Sequence, residues 1–177
     1  MFAANQTETN TRKDTVVNVE ATGSFVWNIC TWDLRHAMNI TSEQLPSSVD
    51  EFLKAGIKKV PSTTLKHTVP MVSDSPIKFE CTYFSTLRLP GNPPMGNADV
   101  IIGRVVGIHI DDRVLTDGMV DLSKVMPIAR CGYYQYAVVR ETFVMMPPGD
   151  GKMPVGLEGI PAKEWKERTE MKASEEM

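Results

Sequence analysis

"IKFECTYFSTLRL" (residues 77–89) is the stretch whose reading decides the fold. Ile77, Phe79, Cys81, Tyr83, Ser85, Leu87 and Leu89 alternate with Lys78, Glu80, Thr82, Phe84, Thr86 and Arg88. That is the period-two pattern of a half-buried strand, with one face for a core and one for solvent. The turn-forming "PGNPPMGNA" (90–98) interrupts it, and "DVIIGRVVGIHI" (99–110) supplies a second long strand rich in Val and Ile. Gly103 and Gly107 lie four apart, where a strand can bend or let another backbone or a ligand come close. Two long antiparallel strands flanked by short helical segments predict a mainly β protein, a barrel or a strongly curled sheet.

Outward toward the N-terminus, "MFAAN" (1–5) reads as a short strand and "DTVVNVEATG" (14–23) as a short helix. Asp14 or Thr15 is its expected N-cap, and Gly23 lies just past its end. "SFVWNIC" (24–30) alternates as a strand, with Phe25, Trp27 and Ile29 on one face. "TWDLRHAMN" (31–39) and "PSSVDEFLKAGI" (46–57) read as further helices, the second capped by Ser47 or Ser48 and stopped at Gly56. Toward the C-terminus, "LSKVMPIARCGYYQYAVV" (122–139) is mixed, because Pro127 limits any helix, and "ETFVMM" (141–146) reads as a last strand. From Pro147 the composition turns linker-like, and "AKEWKERTEMKASEEM" (162–177) reads as a charged helix with Pro161 at its first position and Glu164 and Arg168 paired. The expected organisation is one domain over 1–148, then a linker and tail over 149–177.

Composition narrows the function classes. The 177 residues are 42% hydrophobic and 23% charged with net charge −3, the profile of an average globular chain. No clustered Lys/Arg offers a nucleic-acid surface, and no apolar run approaches the roughly 18–20 residues of a membrane span. "MFAANQTETNTRKD" (1–14) lacks the basic and apolar regions of a signal peptide, so a cytoplasmic protein is expected and its two N-x-T sequons are chance. Cys30, Cys81 and Cys131 are distant and odd in number, which predicts three buried, unpaired thiols.

Most catalytic constellations fail. Asp33 with His36, and His109 with Asp111, lack a third converging ligand, so no metal site is expected. Asp111 and Asp112 point apart if the strand continues and otherwise form a turn. No nucleophile elbow, phosphate-binding Walker loop or dinucleotide fingerprint is present. "RKDT" (12–15) is different. A helix N-terminus has unpartnered N–H groups and a partial positive charge. With Arg12 or Lys13 beside it and the Thr15 hydroxyl as donor, the turn is a plausible phosphate cradle. Hydrogen bonds to a charged group are worth about 1.5–3 kcal/mol each, so two or three anchor a phosphorylated ligand. Asp14 fits such a cradle only if it caps the helix or orients Lys13. On local physics alone, a simple capped helix explains the same residues. "IARCGYYQYAVV" (128–139) leaves a similar choice: Arg130 beside Tyr133, Tyr134 and Tyr136 either faces a planar ligand or is an exposed arginine over core tyrosines.

Taken together, these blocks resemble the flavin reductase-like domain, the FMN-binding split β-barrel. "KDTVVNVEATGSFVWN" (13–28) follows its K-D-T-x-x-N-x-x-x-x-G-x-F-V-x-N signature. "AMN", "VDEFLKAG", "SPIKFEC", "IIGRVVGIHIDDRVL", "DGMVDLSKVMPIARCGYYQYA" and "ETFVMMPP" then follow in family order over residues 1–148. The resemblance implies a homodimer binding FMN, with FAD as the alternative, near the subunit interface. It implies NAD(P)H as co-substrate, hydride transfer to flavin, and a flavin-dependent oxygenase as a potential partner. Carried over by residue, Lys13, Asp14 and Thr15 match the phosphate-proximal motif. Ala4 and Asn5 match a strand end near the flavin, and Arg130, Gly132 and Tyr136 match an R-x-G-x-x-x-Y block near the cofactor. No residue is identified as an acid or base. Two or three strands that precede "MFAANQ" in the family have no counterpart, so the barrel is expected to be N-terminally incomplete, with exposed apolar edges and weak flavin binding. A non-catalytic flavin-binding protein, or a remnant retaining only its oligomerisation surface, are the rival readings.

Overall fold

The computed structural model describes residues 1–5, 11–92, 96–143, 145 and 167. The chain divides into two units, Met1–Thr142 and Phe143–Met177. In the second, Phe143 and Met145 are exposed and Glu167 is helical; the remainder of the expected charged helix lies outside the described residues.

The first unit is mainly β. Its largest sheet has four strands in the order β1 (Phe2–Asn5), β6 (Ala98–Ile110), β5 (Ile77–Leu89) and β2 (Ser24–Asn28). The alternating stretch 77–89 is one continuous strand, antiparallel to β6 from Ile77 opposite Ile110 to Leu89 opposite Ala98. Two register shifts leave Val106 and Phe84 without a cross-strand partner in that ladder. Such bulges bend a strand and raise its twist, which curls this sheet into a half-barrel. Gly103 sits between them for a steric reason: a Cβ there would lie 2.5 Å from the Phe25 ring.

Helix α1 (Asp14–Thr22) packs on the sheet through Val16 and Val19, both buried, one turn apart. Its N-cap is Lys13, not Asp14 or Thr15, and Lys13 makes no side-chain capping bond. Gly23 ends the helix in the left-handed conformation (φ 68°), its N–H donating to the Val19 carbonyl. Val16, Val19, Phe25, Cys81 and Ile101 form the main core, bordered by Phe2, Ala4, Phe79 and Tyr83. The Phe2 ring meets Phe25 edge-on at 5.3 Å.

Short elements fill the flanks. Helices α2 (Arg35–Thr41) and α3 (Glu51–Lys54) precede the hairpin of β3 (Lys59–Pro61) and β4 (Pro70–Val72). Trp32 lies before α2 rather than within it, and α3 is capped by Asp50, whose carboxylate accepts from the Phe52 N–H, not by Ser47 or Ser48. After β6, Asp111 and Asp112 do form a turn. The Asp111 carboxylate caps the 3₁₀ turn Asp112–Val114, followed by the hairpin of β7 (Leu115–Thr116) and β8 (Met119–Val120). Then come α4 (Leu122–Val125) and the hairpin of β9 (Ile128–Gly132) and β10 (Gln135–Val138). Ile77, Val114 and Val125 make a second small core under these pieces. Residues 141–143 are not in a strand, contrary to the reading of "ETFVMM": they follow Arg140 with no ladder partner among the described residues.

Three sequence expectations are corrected by burial. Glu80, on the polar side of the alternation, is fully buried, whereas Leu87 and Leu89 on the apolar side are exposed. Cys81 is buried, but Cys30 is only half-buried and Cys131 is exposed at the β9–β10 hairpin. Phe84, Val105, Val106, Ile108 and Ile110 also expose apolar surface. No helix among the described residues is long and apolar enough to cross a membrane.

Candidate functional site

A cleft of about 630 Å³ opens beside the N-terminus of α1. Its polar end is the start of α1, with Arg12, Lys13, Asp14, Thr15 and Asn18; the remainder mixes Asn28, Thr41, Glu43, Gln44, Ser47 and Glu51 with Ile29, Leu34, Met38, Leu45, Phe52 and Val72. Its size falls within the range that encloses small-molecule ligands. The walls are cross-tied: Asn28 at the end of β2 accepts from the Val72 N–H of β4 at 3.0 Å, and the α2 face meets α3 and the 43–49 segment across the opening.

The sequence-derived residues divide into three places. Lys13, Asp14 and Thr15 line the polar end together. Lys13 has no carboxylate partner among the described residues, so its ammonium is available to an anion there. Asp14 occupies the first helical position and neither caps α1 nor bonds Lys13. Ala4 and Asn5 lie on β1, opposite Asp99 and Ala98 of β6. Arg130, Gly132 and Tyr136 belong to the β9–β10 hairpin, where the Arg130 guanidinium donates to the Tyr136 hydroxyl (3.0 Å) and the Tyr133 carbonyl (2.6 Å). The guanidinium also stacks over the Tyr136 ring at 5.5 Å. Gly132 (φ 122°) and Tyr133 (φ 48°) form the left-handed tip, and Tyr133 and Tyr134 are almost fully exposed rather than core. Neither the β1 pair nor the hairpin trio is among the residues lining the cleft.

Arg12 is not free for a phosphate. Its guanidinium donates to both Glu20 oxygens (2.6 and 2.7 Å) and to Asp99 (3.1 Å). Arg88 donates to the same buried Asp99 at 2.8 Å, and Thr86 donates to Glu20 at 2.7 Å. The Arg12 fork holds the Glu20 carboxyl below its ordinary range, and the Arg88 and Arg12 bonds do the same for Asp99 against the opposing effect of burial.

Sequence reasoning missed Glu80. Its carboxylate accepts from the backbone N–H groups of Thr63, Thr64 and Leu65 and from both threonine hydroxyls. His109 Nε2 lies 2.6 Å from it. Burial pushes this carboxyl up, but the bonds from Thr64, Thr63 and His109 outweigh it and hold the group well below the usual carboxylate range. The donors stand 15–29 positions away in sequence, and no local pattern links them. Glu80 does not line the cleft; it fastens the 62–69 loop to the barrel. No cluster of three or more His, Cys, Asp or Glu able to hold a metal occurs among the described residues.

The polar end brings together chemistry suited to an oxyanion: the Lys13 ammonium, without a carboxylate partner among the described residues, the Thr15 hydroxyl, and a helix N-terminus without a side-chain cap. An uncharacterised protein of Halalkalibacterium halodurans is 32% identical over 138 residues, 78% of this chain and 65% of the relative. The chain therefore spans about two thirds of that relative's length. The crystal structure of nitrilotriacetate monooxygenase component B from Bacillus cereus superposes with TM-score 0.72 at 28% identity, covering 81% of this chain and 69% of that one. Flavoredoxin of Desulfovibrio vulgaris, at 19% identity, shares the fold with TM-score 0.63 over 81% of this chain and 78% of its own. The family model described as the flavin reductase-like domain matches residues 5–129, most of the first unit, and with the curled half-barrel sheet this establishes that the chain belongs to the flavin reductase-like, split-barrel family.

Proposed function

We infer that the chain binds FMN in the cleft beside α1 and serves as an NAD(P)H-dependent flavin reductase, with the domain at 1–148 as the functional part and 149–177 as an appended tail. The observation that carries this is the cleft's lining. Lys13, Thr15 and the α1 N-terminus share one cleft of about 630 Å³ with the apolar side chains of Ile29, Leu34, Met38 and Phe52. Membership of the flavin reductase-like family supports flavin chemistry, and the neighbour named as a monooxygenase component is in keeping with an oxygenase partner.

In this reading Lys13 contributes a point charge and the Thr15 hydroxyl and first-turn N–H groups contribute directed donors to the phosphate. Asp14, in the same turn, repels a dianion and so limits affinity. Ile29, Leu34, Met38 and Phe52 exclude water from the ring, while Asn28 is kept from rotating by its bond to Val72. A bound flavin would supply hydride acceptance and return, and the protein positions it rather than acting as acid or base. Homodimerisation, delivery of reduced flavin to an oxygenase and a cytoplasmic location are parts of the same proposal. FAD is the alternative ligand.

A visible spectrum of the purified protein reconstituted with FMN, followed by anaerobic addition of NADH or NADPH, tests it. A bound-flavin band that bleaches supports the reductase. A band that persists replaces it with a non-catalytic flavin-binding protein, and no band refutes flavin binding.

A further inference from the structure

Arg12 precedes the N-cap of α1 directly and lines the cleft, yet its guanidinium is taken up by a charged cluster of the barrel. Its fork closes on Glu20, two turns further along the same helix, and its Nε reaches Asp99 on β6. Asp99 is 1% exposed and takes its other bonds from Arg88 on β5. Glu20 is tied to β5 in turn through Thr86, whose hydroxyl meets the Tyr83 hydroxyl at 2.9 Å. The two cations and two carboxylates are paired with each other, so the cluster adds no net charge to the cleft. What it does is mechanical. It fixes the residue before the helix N-terminus to the helix itself and to two strands of the central sheet.

We propose that this Arg12–Glu20–Asp99 clamp sets the position of the α1 N-terminus, so that Glu20 and Asp99, neither of which lines the cleft, govern the preference for a phosphorylated flavin over the unphosphorylated one. The inference rests on the FMN reading given above. It follows from geometry: Lys13 and Thr15 are the next residues along from the clamped one, and directed donors to a phosphate lose strength steeply with misplacement. Glu20 and Asp99 are therefore positioning residues, and their effect is confined to the phosphate end. Of the clamp only Arg12 lines the cleft, and the apolar lining residues Ile29, Leu34, Met38, Phe52 and Val72 belong to other stretches of the chain.

The test uses the whole chain with two variants, Glu20→Gln and Asp99→Asn; the first removes a half-exposed carboxylate and spares the buried one, so it folds even if the second does not. Dissociation constants for FMN and riboflavin are measured by flavin fluorescence, and amide hydrogen exchange of residues 14–17 is followed without ligand. The wild type is expected to favour FMN, and each folded variant to lower the FMN-to-riboflavin affinity ratio by roughly five- to tenfold. Riboflavin affinity should stay within about twofold, and exchange at the first turn of α1 should quicken while the core strands keep their protection. A loss spread equally over both flavins marks a merely structural role and overturns the proposal, as does first-turn exchange equal to wild type. A wild type that binds both flavins equally overturns the phosphate cradle itself, and the exchange data, which need no flavin, separate that failure from failure of the clamp.

Discussion

Replacing Glu80 by Gln is the sharpest test of how this barrel holds its long loop. The carboxylate is fully buried and its two oxygens take three backbone N–H groups and two hydroxyls, with His109 at 2.6 Å. A glutamine keeps one acceptor oxygen and turns an NH₂ group toward donors. If the amide replaces Oε2, the Thr64 and Leu65 N–H groups, at 2.8 and 3.1 Å, lose their acceptor; if it replaces Oε1, the Thr63 N–H at 2.7 Å does. An unmade buried bond costs about 1–3 kcal/mol, and hydroxyl rotation recovers part of it, so the expected loss is about 2–4 kcal/mol. In a domain of this size that lowers Tm by about 5–12 °C. The pH dependence follows from the depressed carboxyl. Its contribution is complete above the unfolded-chain value near about pH 4.3 and is lost as pH falls from there toward the folded value. Urea unfolding of both proteins between neutral pH and pH 3 should therefore show a gap that is widest at neutrality and narrows on acidification. A gap under about 0.5 kcal/mol at neutral pH, or one that widens with acid, refutes the reasoning.

Other expectations are shorter. Gly103→Ala places a Cβ 2.5 Å from the Phe25 ring and 2.9 Å from the Thr82 carbonyl oxygen, and should cost about 1–3 kcal/mol in urea unfolding; a neutral result means Phe25 has room to move. Lys13→Ala should weaken FMN roughly tenfold at low salt and less at high salt, sparing riboflavin; titration by fluorescence checks this, and equal losses for both flavins would remove Lys13 from the phosphate site. Thiol labelling should proceed Cys131 first, Cys30 slowly and Cys81 only on unfolding, because burial pushes the Cys30 and Cys81 thiols up. FMN should slow Cys30 further, since that residue lines the cleft; mass spectrometry after timed alkylation gives the order, and rapid labelling of Cys81 in the native state would contradict the packing.

The long strands were legible because alternation is a local property, and 77–89 shows it without a break. Helix α1 was legible from Gly23 just past its end. Its cap was not, since Lys13 takes that place by backbone conformation alone. The burial of Glu80 was hidden by the rule that made β5 readable. Strand parity assigns Glu80 to the polar face, and the loop that covers it is specified some fifteen residues earlier. Arg12 was offered to a phosphate because its neighbours suited one; its partner Asp99 lies 87 residues away, out of reach of any motif. Lys13, Asp14 and Thr15 were legible as one turn, but the apolar side chains that share their cleft, Ile29, Leu34, Met38, Phe52 and Val72, come from separate stretches that only folding assembles. The R-x-G-x-x-x-Y block was read as facing a planar ligand or as covering core tyrosines, and the structure instead pairs Arg130 with Tyr136 on the β9–β10 hairpin itself.

The two unpaired residues of the β5–β6 ladder bear on how this sequence can change length. Val106 shifts the pairing by one place and Phe84, on the opposite strand, shifts it back, so the ends of the ladder share one register and only the stretch between them is offset. That offset stretch carries Cys81 and Gly103, the floor beneath Phe25. Deleting either residue would close one bulge and leave every cross-strand pair with its partner, so what is lost is the local bend and not the register. These positions are therefore where the two strands can shorten by a residue, at the expense of the barrel's curl.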